Sequence, residues 1–346
     1  MKISVTISKP FALSVELEPP ELYHPEIPLQ SLVDRYLKKI ADLGDFTDWI
    51  SITNRHIYNM SSLTACNKAL KILKKTNRLD VKLAMHLTTR LDVIDTYKQA
   101  LDAQQAGLKY LMPLLGDPRG PRSPGYFDNS LDLLRFVSYL TTGKKEYIDQ
   151  LGSRFHDLFI DSNDTLPKRN NFKDNFFNLG TVFDPNPERI IQGKNISIRD
   201  SEIKVFPKKI KAGANYFMTQ AVFSANHYFD FLDQLGGIEK PVGVGLIPTR
   251  LGLQERIGVP LPKEYSTRLR QLHHDKKAQL KEGNIITGEI LQDLIYRGSK
   301  KATWIHIYSF GSLENVYEIL GPEYIDYSQK LKKNQERTNS IFLRSM

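Results

Sequence analysis

Two glutamates two residues apart, Glu16 and Glu18, sit in the aliphatic run FALSVELEPP at residues 11–20. A carboxyl group in such a place can hold and deliver a proton, or pair with a cation. Read as a strand, the run has period two: Leu13, Val15 and Leu17 take one face, and Ser14, Glu16 and Glu18 take the other. Pro19 has no backbone N–H and Pro20 restricts its predecessor, so the strand ends there with two carboxylates at its carboxyl end. An edge strand with one wet face would read the same way. The pattern recurs, however. Thr53 and Asn54, His86 and Thr88, Asp117, Asp184, Gln220 and Arg250 each close, or just follow, a short apolar run.

The elements that must position these residues alternate. Strand-like FALSVELE, DWISIT, VKLAMHLT, YLMPLLGD, FFNLGTVFD, NYFMTQ, PVGVGLIP and ATWIHIYSF are each followed by a segment with helical apolar spacing. The helical material after PVGVGLIP runs from about 249 to 300, and Pro207 is expected to kink the helix after the fifth strand. Eight such units predict parallel strands joined by crossover helices and closed into a single (β/α)8 TIM barrel over residues 1–325. A charged stretch, 141–175, is expected as an insertion between the fourth and fifth strands, and 326–346 as a charged tail. An open doubly wound sheet would normally carry a glycine-rich phosphate loop, and neither GxGxxG nor GxxxxGK[ST] occurs. In a barrel, the carboxyl ends of the strands form the active-site face, so the ring of polar strand-end residues reads as chemistry.

Composition narrows the class. The 346 residues are 40% hydrophobic and 25% charged, as in a globular protein with a full core. No signal-peptide pattern or stretch of about 18 apolar residues is found, so no membrane is expected. The single cysteine, Cys66, excludes an intrachain disulfide and a cysteine-rich metal site, fits a cytoplasmic location, and reads as a buried small hydrophobe. Net charge is +9, but the basic concentrations TRLRQLHHDKKAQLK and KLKKNQER read as solvated helix faces without interleaved aromatics. Nucleic acid is therefore not expected, and the charge suits a small polyanionic ligand. His273 and His274 are adjacent, point apart on a helix, and suggest no metal site.

In this order and context, the strand-end motifs resemble the methylenetetrahydrofolate reductase family. VELEPP resembles its first-strand motif in a register that selects Glu16. HLTTR, LLGDP, AGANYFMTQ, VGVGLIP and IHIYSF resemble the later ones, AGANYFMTQ being the most specific. Together they run from about residue 11 to 322. The resemblance implies a flavin-bearing barrel that reduces 5,10-methylenetetrahydrofolate, or a related methylene-pterin, to the 5-methyl form. By position, Glu16 resembles the general acid, and Asp117 the carboxylate near flavin and pterin. Gln220 resembles the contact to pterin or nicotinamide. Thr53, His86 and Gly116 resemble flavin contacts, and Lys208 and Lys209 those near its phosphates. The implied cofactor is FAD, with NADH or NADPH, or a partner reductase or electron-transfer protein, supplying electrons. A homo-oligomer is expected.

The chemistry agrees with these roles. Hydride delivery to the bridging methylene requires an electrophilic carbon, and protonating the departing ring nitrogen opens the ring to an iminium. A carboxylic acid whose pKa is raised by desolvation at a barrel mouth could supply that proton. An amide such as Gln220 both donates and accepts, as a pterin edge requires. Three positions depart from the family pattern. Leu115 stands where the family has arginine, Val182 (or, less well aligned, Phe183) where an aromatic is common, and Ser312 where an arginine follows the eighth strand. The first two bear on flavin binding and the third on recognition of the folate tail.

Overall fold

Apolar runs of four to seven residues alternate with amphipathic helices in the order expected from the sequence. The computed structural model describes residues 11–20, 27–54, 60–116, 127–151, 171–252, 257–272, 274–298, 304–309, 312–321 and 324–325. In chain order the elements are β1 (Ala12–Leu17), α1 (Leu29–Gly44), β2 (Trp49–Ile52), α2 (Ser62–Lys75), β3 (Lys82–Thr88), α3 (Val93–Gln105), β4 (Tyr110–Leu114), α4 (Ser130–Thr142), α5 (Glu146–Asp149), β5 (Asn178–Phe183), β6 (Glu188–Ile191), β7 (Lys194–Ser197), α6 (Arg199–Lys211), β8 (Tyr216–Thr219), α7 (Ala225–Gln234), β9 (Val242–Leu246), α8 (Lys263–Gln271), α9 (Lys276–Gly298), β10 (Trp304–Tyr308) and α10 (Leu313–Leu320).

Eight parallel strands close into a barrel in the order β1-β10-β9-β8-β5-β4-β3-β2, so the fold is a (β/α)8 barrel. Local signals start the helices. The side chains of Ser61, Asp92 and Asn129 accept hydrogen bonds from Thr64, Asp95 and Asp132 N–H groups, capping α2, α3 and α4. Period two then sorts the strands. Leu13, Val15 and Leu17 are fully buried and pack outward among Ile40 and Leu43 of α1 and Val316 of α10. The alternate residues point into the barrel.

The barrel interior is layered. Trp49, Tyr110, Tyr216 and Trp304 each open their strand, so they meet at its amino end and form an aromatic floor. Trp49 and Trp304 stack with ring centres 5.5 Å apart, and Tyr110 meets Trp49 edge-on at 4.5 Å. The alternating glycines of VGVGL make room for this layer and the one above. A Cβ on Gly243 would lie 2.2 Å from Trp304 Nε1, and one on Gly245 would lie 2.7 Å from the Tyr308 ring.

One feature is missing from the sequence reading. Residues 188–197, left unassigned between the fifth strand and its helix, form an antiparallel hairpin, β6–β7. Its turn residues Gln192 and Gly193 have φ of 50° and 75°, as a two-residue hairpin turn demands. Among the described residues, the helical stretch 249–300 includes the helices α8 and α9. Pro207 lies inside α6, as the helix pattern implied. Of the expected insertion, α5 and residues 171–175 are described, and Gln104 of α3 bonds the backbone of Asn171 and Lys173. Residues 152–170 and the tail 326–346 lie outside the described residues. Among the described residues, no helix is long and apolar enough to cross a membrane.

The interior glycines generate a prediction. Gly243→Ala should destabilise the fold by about 2 kcal/mol, because Trp304 is itself stacked and cannot retreat. Gly288→Ala is the control: its Cβ would meet only Ile319 O, at 3.5 Å. That change should stabilise α9 by up to about 1 kcal/mol. Urea unfolding midpoints of the two variants check the opposite signs.

Candidate active site

Above the aromatic floor, the carboxyl ends of the strands surround a cavity of about 960 Å³. Glu16, Thr53, His86, Gly116 and Gln220 line it, as do Thr88, Asp184, His306 and Tyr308. The sequence candidates from β1, β2, β3, the β4 turn and β8 are therefore brought together around one space. Asp117 lies outside the described residues. Glu18 does not line the cavity; it lies past the end of β1, where its charge acts on Lys39 of α1. The two glutamates thus separate into one that faces the cavity and one that faces a lysine.

Glu16 is held by both of its strand neighbours. It pairs in register with Tyr308 of β10 and Ser51 of β2, and its carbonyl accepts a 2.6 Å bond from Ser309 Oγ. Its carboxylate is 17% exposed, and Oε2 lies 3.9 Å from Nε2 of the fully buried His306. His306 Nδ1 is 3.0 Å from Ser14 Oγ. The seryl hydroxyl therefore fixes one ring nitrogen while the other faces Glu16. A second imidazole repeats the device: His86 Nε2 is 2.7 Å from Ser51 Oγ, and Ser62 Oγ donates to the His86 carbonyl.

Burial pushes the His86 pKa down to about 4; Glu16 opposes this shift and His306 adds to it. His86 is thus a neutral imidazole at neutral pH. Burial, and then the charges of Glu16 and Asp184, hold the Tyr308 phenol well above its usual range. Its OH donates to the Thr219 carbonyl at 2.7 Å. Thr219 Oγ1 in turn accepts from Gly245 N and donates to the Gln220 carbonyl, which fixes the β8 end where Gln220 faces the cavity.

The residues named for a flavin fall into two sets. Thr53 Oγ1 is buried and has no hydrogen-bond partner among the described residues. Gly116, at φ 79°, has no room for a side chain, because a Cβ would lie 3.0 Å from Thr88 Cβ. With Met112, Leu114 and Val182 beside them, these positions fit the edge of a planar ring. The lysines are placed differently. Lys208 is exposed and Lys209 buried on the last turns of α6, and neither lines the cavity. Lys209 Nζ donates to Val182 O at 2.7 Å and lies 3.6 Å from the Glu202 carboxylate. It is committed one layer behind the wall, because its helix face points at β5.

Sequence reasoning assigned no role to His306, Tyr308, Arg189 or Glu202, all of which line the cavity. The alternation IHIYSF could have indicated the first two. Arg189 and Ile191 come from the unrecognised hairpin, whose signal was Gln-Gly between two isoleucine-bearing runs. Among the described residues, no group of three or more His, Cys, Asp or Glu is arranged to hold a metal.

The lowered His86 pKa predicts a pH effect. The unfolded chain binds a proton near pH 6.5 that folded His86 refuses until about pH 4, so stability is lost as pH falls through that window. Between pH 7 and pH 4.5 this should amount to roughly 2 kcal/mol. His86→Asn, which retains a polar group near Ser51, should show a correspondingly shallower pH dependence in urea melts.

The sequence matches the family described as Methylenetetrahydrofolate reductase over residues 2–322. No curated protein sequence matches the chain. Among solved structures, an uncharacterized protein from Clostridium thermocellum that binds two copies of 5-methyl-5,6,7,8-tetrahydrofolic acid is 13% identical, with 93% of this chain and 96% of that one covered at a TM-score of 0.55. A 7,8-dihydropteroate synthase from Vibrio fischeri ES114 is 11% identical, with 93% of each chain covered and a TM-score of 0.43. At 13% identity the likeness to the Clostridium thermocellum protein is one of fold.

Proposed function

We propose a reaction from one premise: the chain belongs to the methylenetetrahydrofolate reductase family. The reaction is reduction of 5,10-methylenetetrahydrofolate, or a related methylene-pterin, to the 5-methyl form. The observation that carries this reading is the placement of Glu16. Its partly exposed carboxylate faces a cavity shared with Gln220, Thr53 and two buried imidazoles. The Clostridium thermocellum protein's ligand is of the same pterin class.

In this reading the pterin edge is oriented by the Gln220 amide, which offers both a donor and an acceptor. Glu16 delivers a proton to the departing ring nitrogen, opening the five-membered ring to an iminium whose methylene carbon accepts hydride. His306, fixed by Ser14, sets its Nε2 3.9 Å from the Glu16 carboxylate. His86, neutral and fixed by Ser51, adds a polar wall without adding charge. The aromatic floor and the apolar residues Met112 and Leu114 limit water at the reacting atoms. Thr53, His86 and Gly116 would hold the ring of FAD, which when bound supplies the hydride. NADH, NADPH or a partner electron-transfer protein would reduce it.

The absence of Lys208 and Lys209 from the wall favours, as a second reading, a flavin-free reductase that takes hydride from NADH or NADPH directly. An anaerobic assay with a panel of donors, with and without added FAD, separates the two.

Glu16→Gln tests the central role. It should slow reduction of the methylene-pterin by about a hundredfold or more, while reduction of the bound flavin by its donor continues. Stopped-flow measurement of each half-reaction gives the two rates. Normal methylene-pterin reduction by the variant would remove Glu16 from the mechanism.

A further inference from the structure

The β6–β7 hairpin brings a cation to the cavity that the strand ends do not supply. Among the described lining residues, Arg189 is the one with a permanent positive charge. Its guanidinium is already oriented. Nε donates to Asp184 Oδ2, and Nη1 donates to Ile257 O at 2.5 Å. Asp184 is held in turn by Asn186, through N at 3.0 Å and Nδ2 at 2.7 Å. The hairpin backbone is anchored beside it, with Ile190 N donating to Gly258 O at 2.7 Å. These contacts use Nε and Nη1, and Nη2 has no hydrogen-bond partner among the described residues.

The electrostatics leave room for an anion. The two carboxylates on this side of the cavity are each matched, Asp184 by Arg189 and Glu202 by Lys209. The Arg189 side chain is 23% exposed, so an anion meeting it is less screened than at an open surface. A planar fork locked by two bonds loses little further freedom on making a third. Lys209 cannot substitute, because its ammonium is taken by Val182 O and Glu202.

We propose that Arg189, through Nη2, receives an anionic oxygen group at the mouth-side end of the ligand bound in the cavity. The group is a carboxylate of a folate tail or a phosphate of a flavin nucleotide. The inference rests on the pterin and flavin reading above for the identity of the ligands, and it makes Arg189 a specificity-determining residue.

Two ligand pairs that differ in charged groups test it by equilibrium binding to the full chain. The first pair is 5-methyltetrahydrofolate and its tail-less counterpart 5,6-dimethyltetrahydropterin; the second is FMN and riboflavin. Arg189→Met should weaken the charged member of one pair by about tenfold or more and leave its neutral counterpart unchanged, with Arg189→Lys in between. A loss confined to 5-methyltetrahydrofolate assigns the carboxylate, and a loss confined to FMN assigns the phosphate. Equal weakening of charged and neutral members would show that Arg189 only holds the hairpin, and overturns the inference, as does no change in either pair. If wild type binds none of the four, the pterin and flavin reading itself falls, and this inference with it.

Discussion

The seam between β1 and β10 is the contact on which the site depends. Five register pairs, from Ala12↔Trp304 to Glu16↔Tyr308, join the two ends of the barrel sequence. Parallel pairing across nearly three hundred residues has a large entropic cost before it yields any contact. It is stabilised from both sides: Leu13, Val15, Ile305 and Ile307 bury their side chains among the helices. The same pairing sets Ser14 beside His306 and brings the His306 ring near the Glu16 carboxylate. Without the seam, Glu16 is a glutamate on a half-polar strand.

Closing a barrel on polar interior residues has its own difficulty, since a buried polar group without a partner costs more than a satisfied one returns. The neighbouring strands solve this in pairs. A serine on β1 meets the histidine of β10, and a serine on β2 meets the histidine of β3. Both pairs sit one layer above the aromatic floor, with His86 and His306 buried. What remains unmatched is informative: Thr53 Oγ1 and His306 Nε2 are buried without a hydrogen bond among the described residues, on two residues that line the cavity.

The mouth is built on other terms. The strands end, and the wall continues through irregular chain and the β6–β7 hairpin. The hairpin is fixed by Arg189 to the end of β5 and by Ile190 to the loop after β9. The hairpin is thereby locked to the adjacent strand end and to a loop 68 residues further on by a few polar contacts instead of by a core. Leu115 and Ile191 remain about half exposed on this rim, so the outer cavity combines apolar surface with one oriented guanidinium.

The eight-fold alternation of strand and helix, and with it the barrel, was legible in the sequence, because period two and helical spacing are local properties that survive without neighbours. The strand-end ring of Glu16, Thr53, His86 and Gln220 was legible for the same reason, once the barrel gave strand ends a common side. The choice of Glu16 over Glu18 rests on motif register and on the deeper place of Glu16 in the strand; in the fold, β1 stops at Leu17 and Glu18 lies beyond it, where its charge acts on Lys39. The role of His306 was not legible, since its partners are Ser14 and Glu16 at the opposite end of the chain. Nor was the direction of Lys209, which depends on which face of α6 packs on β5, or the hairpin, whose ten residues find their anchors on other segments. Local pattern determined which residues lie at the strand ends. Only closure of the barrel decided which of them meet, because distances between strands are set by pairing partners that the local sequence does not contain.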